Sequence, residues 1–108
     1  MFVEESSQEE WVKRGDEFFR NKLFEVAAKC YGHGGEVQKE KQAIAFHWAQ
    51  EASRLRAKPD KMRAVFLRAA AAFVESEALT EAARCLVNAR EHRLAAQLYE
   101  KQGQVKWN

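Results

Sequence analysis

Two pairs of side chains in this sequence carry the elements of a zinc site: Cys30 with His33, three residues apart, and Cys85 with His92, seven apart. Structural zinc normally draws on tight pairs separated by a finger-length loop, which this spacing does not reproduce. Both cysteines fall instead in runs of small and large apolar residues, where a thiol behaves as a small hydrophobe. Gly32-His33-Gly34-Gly35 suggests a phosphate loop, but it lacks the Lys-Ser/Thr that would touch phosphate and magnesium, and it ends a helix where a phosphate loop would begin one. His33, His47 and His92 have no flanking pattern that would activate a nucleophile. The reading is therefore of a non-enzyme: no catalytic, cofactor-binding or metal-ligating residue is expected, and no cofactor. Trp11, Phe18, Phe24 and Tyr31 could form a ligand cage. Their helical spacing makes them core instead, each worth about 2–3 kcal/mol when buried.

Charge narrows the partners. Eighteen basic against 16 acidic residues give a net charge of +2, which excludes both a polyanion-seeking tail and an acidic disordered segment. The charge is unevenly spread, with 8 basic and 3 acidic side chains in residues 37–72. The excess gathers in Arg54, Arg56, Lys58, Lys61 and Arg63 around one interhelical turn. That cluster is either a solvated corner or a contact for nucleic acid or an acidic partner; without interleaved aromatics it offers no base stacking. No run approaches the length of a membrane span, and the acidic start is unlike a secretory signal. Two cysteines are too few for a disulfide framework, so an intracellular protein, cytoplasmic or nuclear, is expected.

What must position these residues is helix almost throughout. One Pro and five Gly stand among many Ala, Leu, Glu, Lys and Arg, which lose least on entering a helix. Ser6-Ser7-Gln8-Glu9-Glu10 offers a capping box for a first helix ending near Asn21. A second, from about Leu23 to Tyr31, stops at the glycines. A third runs from Val37 to Arg56 with Ile44, Trp48, Ala52 and Leu55 on one face. Pro59 opens a fourth holding Val65, Phe66, Ala69, Ala70 and Phe73. A fifth spans about Thr80 to Arg90, and a sixth runs from Arg93 to Gln102 before Gly103. Short connections make six such helices antiparallel neighbours, so the fold class is all-α, with residues 1–108 as one helical domain and a fragment of a larger protein. Three runs repeat a scheme of small residues followed one turn later by a large one: Ala27 with Tyr31, Ala82 with Leu86, Ala95 with Tyr99. Ala27 and Ala82 lie 55 residues apart, and Ala27 and Ala95 lie 68 apart, twice 34, the more suggestive interval of the two, although two motifs do not establish a period.

Trp11-x-x-Arg14-Gly15-x-x-Phe18, followed by Phe24, Ala27 and Tyr31, resembles the tetratricopeptide (TPR) repeat, and Phe66, Ala69, Ala70 and Phe73 with Ala82, Leu86 and Ala89 repeat it more loosely. Arg14 replaces the usual Leu, no Pro closes the first repeat near Lys39, and an extra helix, Val37–Arg56, separates the two units. Glu10 to Gly15 together with Ala27 to Tyr31 is similar to a segment of the large TPR-and-ankyrin-repeat proteins of the lupus brain antigen type, in which a UvrD-like helicase region precedes degenerate helical repeats. None of that helicase's ATP-binding signatures lies in this chain. The resemblance implies a stacked α-α superhelix acting as a non-catalytic protein–protein interaction scaffold; a nucleic-acid-contacting module attached to a helicase is the alternative. It also implies a partner-binding concave face presenting Val12, Asp16, Phe19, Leu67 and Val74. The family's carboxylate clamp needs Lys and Asn where Val12 and Asp16 stand, so an acidic C-terminal tail is not the expected ligand. A protein or peptide, or an adjacent domain of the same chain, is the expected partner, with no membrane. Val105 and Trp107 read as the start of a next helix, and a truncated array would dimerise through its exposed ends.

Overall fold

The computed structural model describes residues 7–103, and these form six helices with no strand among them: α1 (Gln8–Arg20), α2 (Phe24–His33), α3 (Val37–Ser53), α4 (Pro59–Glu75), α5 (Leu79–Asn88) and α6 (His92–Lys101). Val105 and Trp107 lie outside the described residues. The start of α1 follows from its sequence. Ser7 accepts from the Glu10 amide at 3.1 Å while the Glu10 carboxylate accepts from the Ser7 amide at 3.2 Å, so two orphan donors are satisfied reciprocally. Pro59 begins α4, where its missing N–H costs nothing.

The tight turns share one geometry. Lys22, Gly35, Glu77 and Arg90 have φ of 62°, 76°, 62° and 64°, and the next helix begins two residues after each. The amide following each left-handed residue closes back on the helix it leaves. Leu23 N–H donates to the Phe18 carbonyl, Glu36 to Tyr31, Ala78 to Phe73 and Glu91 to Leu86, at 2.7–2.9 Å. Three of the four use a residue with a Cβ, a conformation that costs about 1–2 kcal/mol outside glycine.

These turns also reveal the repeat. Subtracting 55 from Ala78→Phe73 gives Leu23→Phe18, and from Glu91→Leu86 gives Glu36→Tyr31, so α4-α5-α6 reproduces α1-α2-α3 bond for bond at its turns. The expectation of α3 as an extra helix between two hairpins is thereby corrected: α3 closes the first hairpin as α6 closes the second. A second correction concerns its face. The helix stops at Ser53, whose hydroxyl donates to the Ala49 and Gln50 carbonyls and competes for the last turn. Leu55 lies past its end, and Ile44 is 38% exposed. Ala45 and Ala52, both fully buried, carry the core face, because only small residues let the Ala69-Ala70 stretch of α4 come close.

Each helix packs mainly on its sequence neighbours, and the molecule measures 60 × 37 × 18 Å. Its radius of gyration is 16.0 Å, against about 13 Å for a compact chain of this length. This is a stacked helical array of antiparallel hairpins. Gly15 and Ala27 let α1 and α2 cross closely: a Cβ on Gly15 would sit 2.7 Å from the Tyr31 ring. Tyr31 is buried, but Trp11 and Phe18 of α1 and Phe24 of α2 are only half-buried, so the expected aromatic core is only partly enclosed. Trp11 stacks on His33 of α2 at 4.7 Å with Arg14 over its ring. Two clusters of buried residues make up the core. Phe46 bridges them, edge-on to Phe19 at 5.2 Å and to Phe73 at 4.8 Å.

Candidate protein-interaction surface

Leu67 and Val74 point from α4 into an open groove of about 400 Å³, whose other wall is Leu94 and Leu98 of α6 and whose base is Leu86 of α5. Val74 and Leu94 remain 44% and 46% exposed. Among the described residues no hydrogen bond or ion pair crosses it, and its lining is apolar apart from Gln97 and Lys101, so it is suited mainly to covering apolar area.

The repeat explains why the groove is open. Its residues correspond, 55 positions earlier, to Val12, Asp16, Phe19 and Tyr31 facing Lys39, Ala43 and Phe46. There the space is filled from within. Phe19 meets Phe46, and the Asp16 carboxylate accepts from the Tyr31 hydroxyl at 2.6 Å and from Lys39 at 3.4 Å. The Tyr31 hydrogen bond holds the Asp16 carboxyl below the usual range, with Lys39 adding to it against a smaller desolvation. Val12 packs on Gly34. In the second unit Val74 stands for Phe19, Ala71 for Asp16, Leu94 for Lys39 and Lys101 for Phe46, and the smaller or mismatched pairs leave the gap. The five residues named from the resemblance therefore divide. Val12, Asp16 and Phe19 are half-buried against α2 and α3, while Leu67 and Val74 line the groove. Leu94 and Leu98 belong with them. Their spacing of four was legible in the sequence, but α6 gave notice only of its Ala95–Tyr99 pair.

The basic cluster also divides. The Arg63 guanidinium donates to the Ala89 carbonyl at 2.9 Å and to the Glu91 carboxylate, pinning α4 to the α5–α6 turn. Arg54 pairs with Glu51 at 2.7 Å. Arg56, Lys58 and Lys61 are exposed and make no ion pair with a described residue. Cys30 and Cys85 are buried, and desolvation raises both thiols, that of Cys85 to about 11. They are packing groups in neutral form. Among the described residues, no three His, Cys, Asp or Glu side chains are placed to hold a metal ion, and no helix is long and apolar enough to cross a membrane.

The fold and the groove define the class: a repeat array of helical hairpins, TPR-like in its small-residue crossings. The chain is 35% identical over 106 residues, 98% of its length, to human (Homo sapiens) TPR and ankyrin repeat-containing protein 1, of which it spans 4%. The likeness to a segment of the TPR-and-ankyrin-repeat proteins carried by Trp11, Gly15, Ala27 and Tyr31 thus extends over nearly the whole chain. No family model matches the chain, and no solved structure does.

Proposed function

We propose that this chain is a non-catalytic protein-interaction module, part of a larger intracellular protein, and that it holds partners through the α4–α6 groove. One observation carries the reading. The same positions that seal themselves in the first unit with Phe19, Phe46, Asp16 and Lys39 are left open and apolar in the second. Exposed apolar surface of this kind is a cost in water unless a partner covers it. The similarity to a protein named for its TPR and ankyrin repeats supports the same reading.

The test compares two single variants of the whole chain in affinity capture. Leu67→Asp places a charge in the open groove and is expected to leave the far-UV circular dichroism intact while the captured proteins disappear. Val12→Asp, by contrast, pushes a carboxylate against Gly34 and is expected to lower stability. Unchanged capture by a folded Leu67→Asp chain would remove the groove from the function.

A further inference from the structure

A larger groove, of about 810 Å³, opens where the start of α2, the second half of α3 and the start of α4 meet. Phe24, Phe46, Met62 and Phe66 floor it. The Phe24 and Phe46 rings stack on each other at 5.2 Å with planes 23° apart, and Phe46 is braced edge-on by Phe19 and Phe73, so the aromatic side of the groove is held firmly. Lys22 and Arg56 line the same groove, both exposed and neither in an ion pair with a described residue. No carboxylate lines it. Lys22 is held in place by its left-handed backbone and by Gln50, whose side-chain amide donates to the Lys22 carbonyl at 3.2 Å. Arg56 belongs to the α3–α4 turn with Lys58, and Lys61 stands in the first turn of α4; neither lysine makes an ion pair with a described residue.

An apolar floor whose lining holds two cations, the neutral polar Gln50, Ser53 and Asn88, and no carboxylate is complementary to a ligand of the opposite charge. We propose that this groove receives an acidic segment of a partner protein bearing one large apolar side chain. That side chain packs among Phe24, Phe46, Met62 and Phe66, and flanking carboxylates meet Lys22 and Arg56. The volume lies in the range of sites that enclose a single anchoring group with its flanks. A nucleic acid fits less well. A polyphosphate track needs a continuous row of available cations, and Arg54 and Arg63 are already committed to Glu51 and Glu91. The proposal rests on the protein-binding reading above but uses a different face.

The probe is a short fluorescent peptide of glutamates around one central tryptophan, titrated by anisotropy against the whole chain at low salt. Three controls accompany it: the same peptide with alanine for tryptophan, the same with lysines for glutamates, and oligouridylate RNA. The glutamate–tryptophan peptide is expected to bind, more weakly as salt rises, and each substituted peptide to bind worse. The double variant Lys22→Glu, Arg56→Glu is expected to weaken binding by about tenfold or more, since each reversal both removes an attraction and adds a repulsion. Glutamate is tolerated at position 22, because Glu77 already occupies the matching left-handed position. The milder pair Lys22→Gln, Arg56→Gln, confirmed folded by circular dichroism, should show a smaller loss. No binding of the acidic peptide, equal binding of the lysine peptide, indifference to both charge variants, or binding of the RNA alone would overturn the proposal. Leu67→Asp separates the two readings: the peptide should bind this variant normally even as groove-dependent capture is lost.

Discussion

Gly15 and Tyr31 decide how closely the first two helices approach. A methyl at position 15 would meet the tyrosine ring at 2.7 Å, and that ring is locked in place by its hydroxyl bond to Asp16. Gly15→Ala is therefore expected to destabilise by roughly 1–3 kcal/mol, measured by urea unfolding, despite alanine's better helix propensity. The Asp16 bond also sets a pH dependence. A carboxyl held below its ordinary pKa in the folded state contributes stability above the unfolded value and loses it as pH falls through the folded one. Tyr31→Phe removes the larger cause of that depression, so the fall in urea midpoint between about pH 6 and pH 3 should be shallower in the variant. Cys85, with its thiol raised to about 11, should resist alkylation at neutral pH in the folded chain and react once denaturant opens it.

The left-handed residues govern how successive helices are joined. Glu77 holds a φ of 62° and makes no ion pair with a described residue, so Glu77→Gly should raise stability by about 0.5–1 kcal/mol after the flexibility it gives the unfolded chain is subtracted. Gln38 and Gln42 of α3 both donate to the Ser76 carbonyl, at 2.5 and 3.4 Å, while Gln50 donates to Lys22. One helix thus steadies the turn of each hairpin. Phe46 of the same helix joins the two core clusters, and Phe46→Ala should cost roughly 3 kcal/mol in thermal unfolding, since the cavity opens at the seam between units.

At the scale of the molecule, buried interfaces between neighbours replace a central core, which is why the radius of gyration exceeds that of a compact domain. Small-angle scattering of the monomer should return a value near 16 Å plus a hydration layer; a markedly larger one would report association of the array's ends. The two grooves share no lining residue. The α4–α6 groove is mostly apolar, with Gln97 and Lys101 at its edge, whereas Lys22 and Arg56 line the α2–α4 groove, so the two proposed sites differ in charge.

Helix number, the capping box at Ser7, the stop at the glycines and the opening of α4 at Pro59 were all legible from residue type, because each depends on backbone hydrogen bonding within a few positions. The close crossing at Gly15, Ala27 and Tyr31 was legible for the same reason: small and large residues one turn apart fix a stripe before any neighbour is known. Which stripes would meet was not. Ile44 and Ala45 sit side by side in the chain, and only packing against Ala69 and Ala70 selects the alanine. Nor does residue type distinguish the filled groove of the first unit from the open one of the second. That difference arises from pairs such as Phe19 with Phe46 and Asp16 with Lys39, more than twenty residues apart, whose fit exists only once the hairpins have stacked.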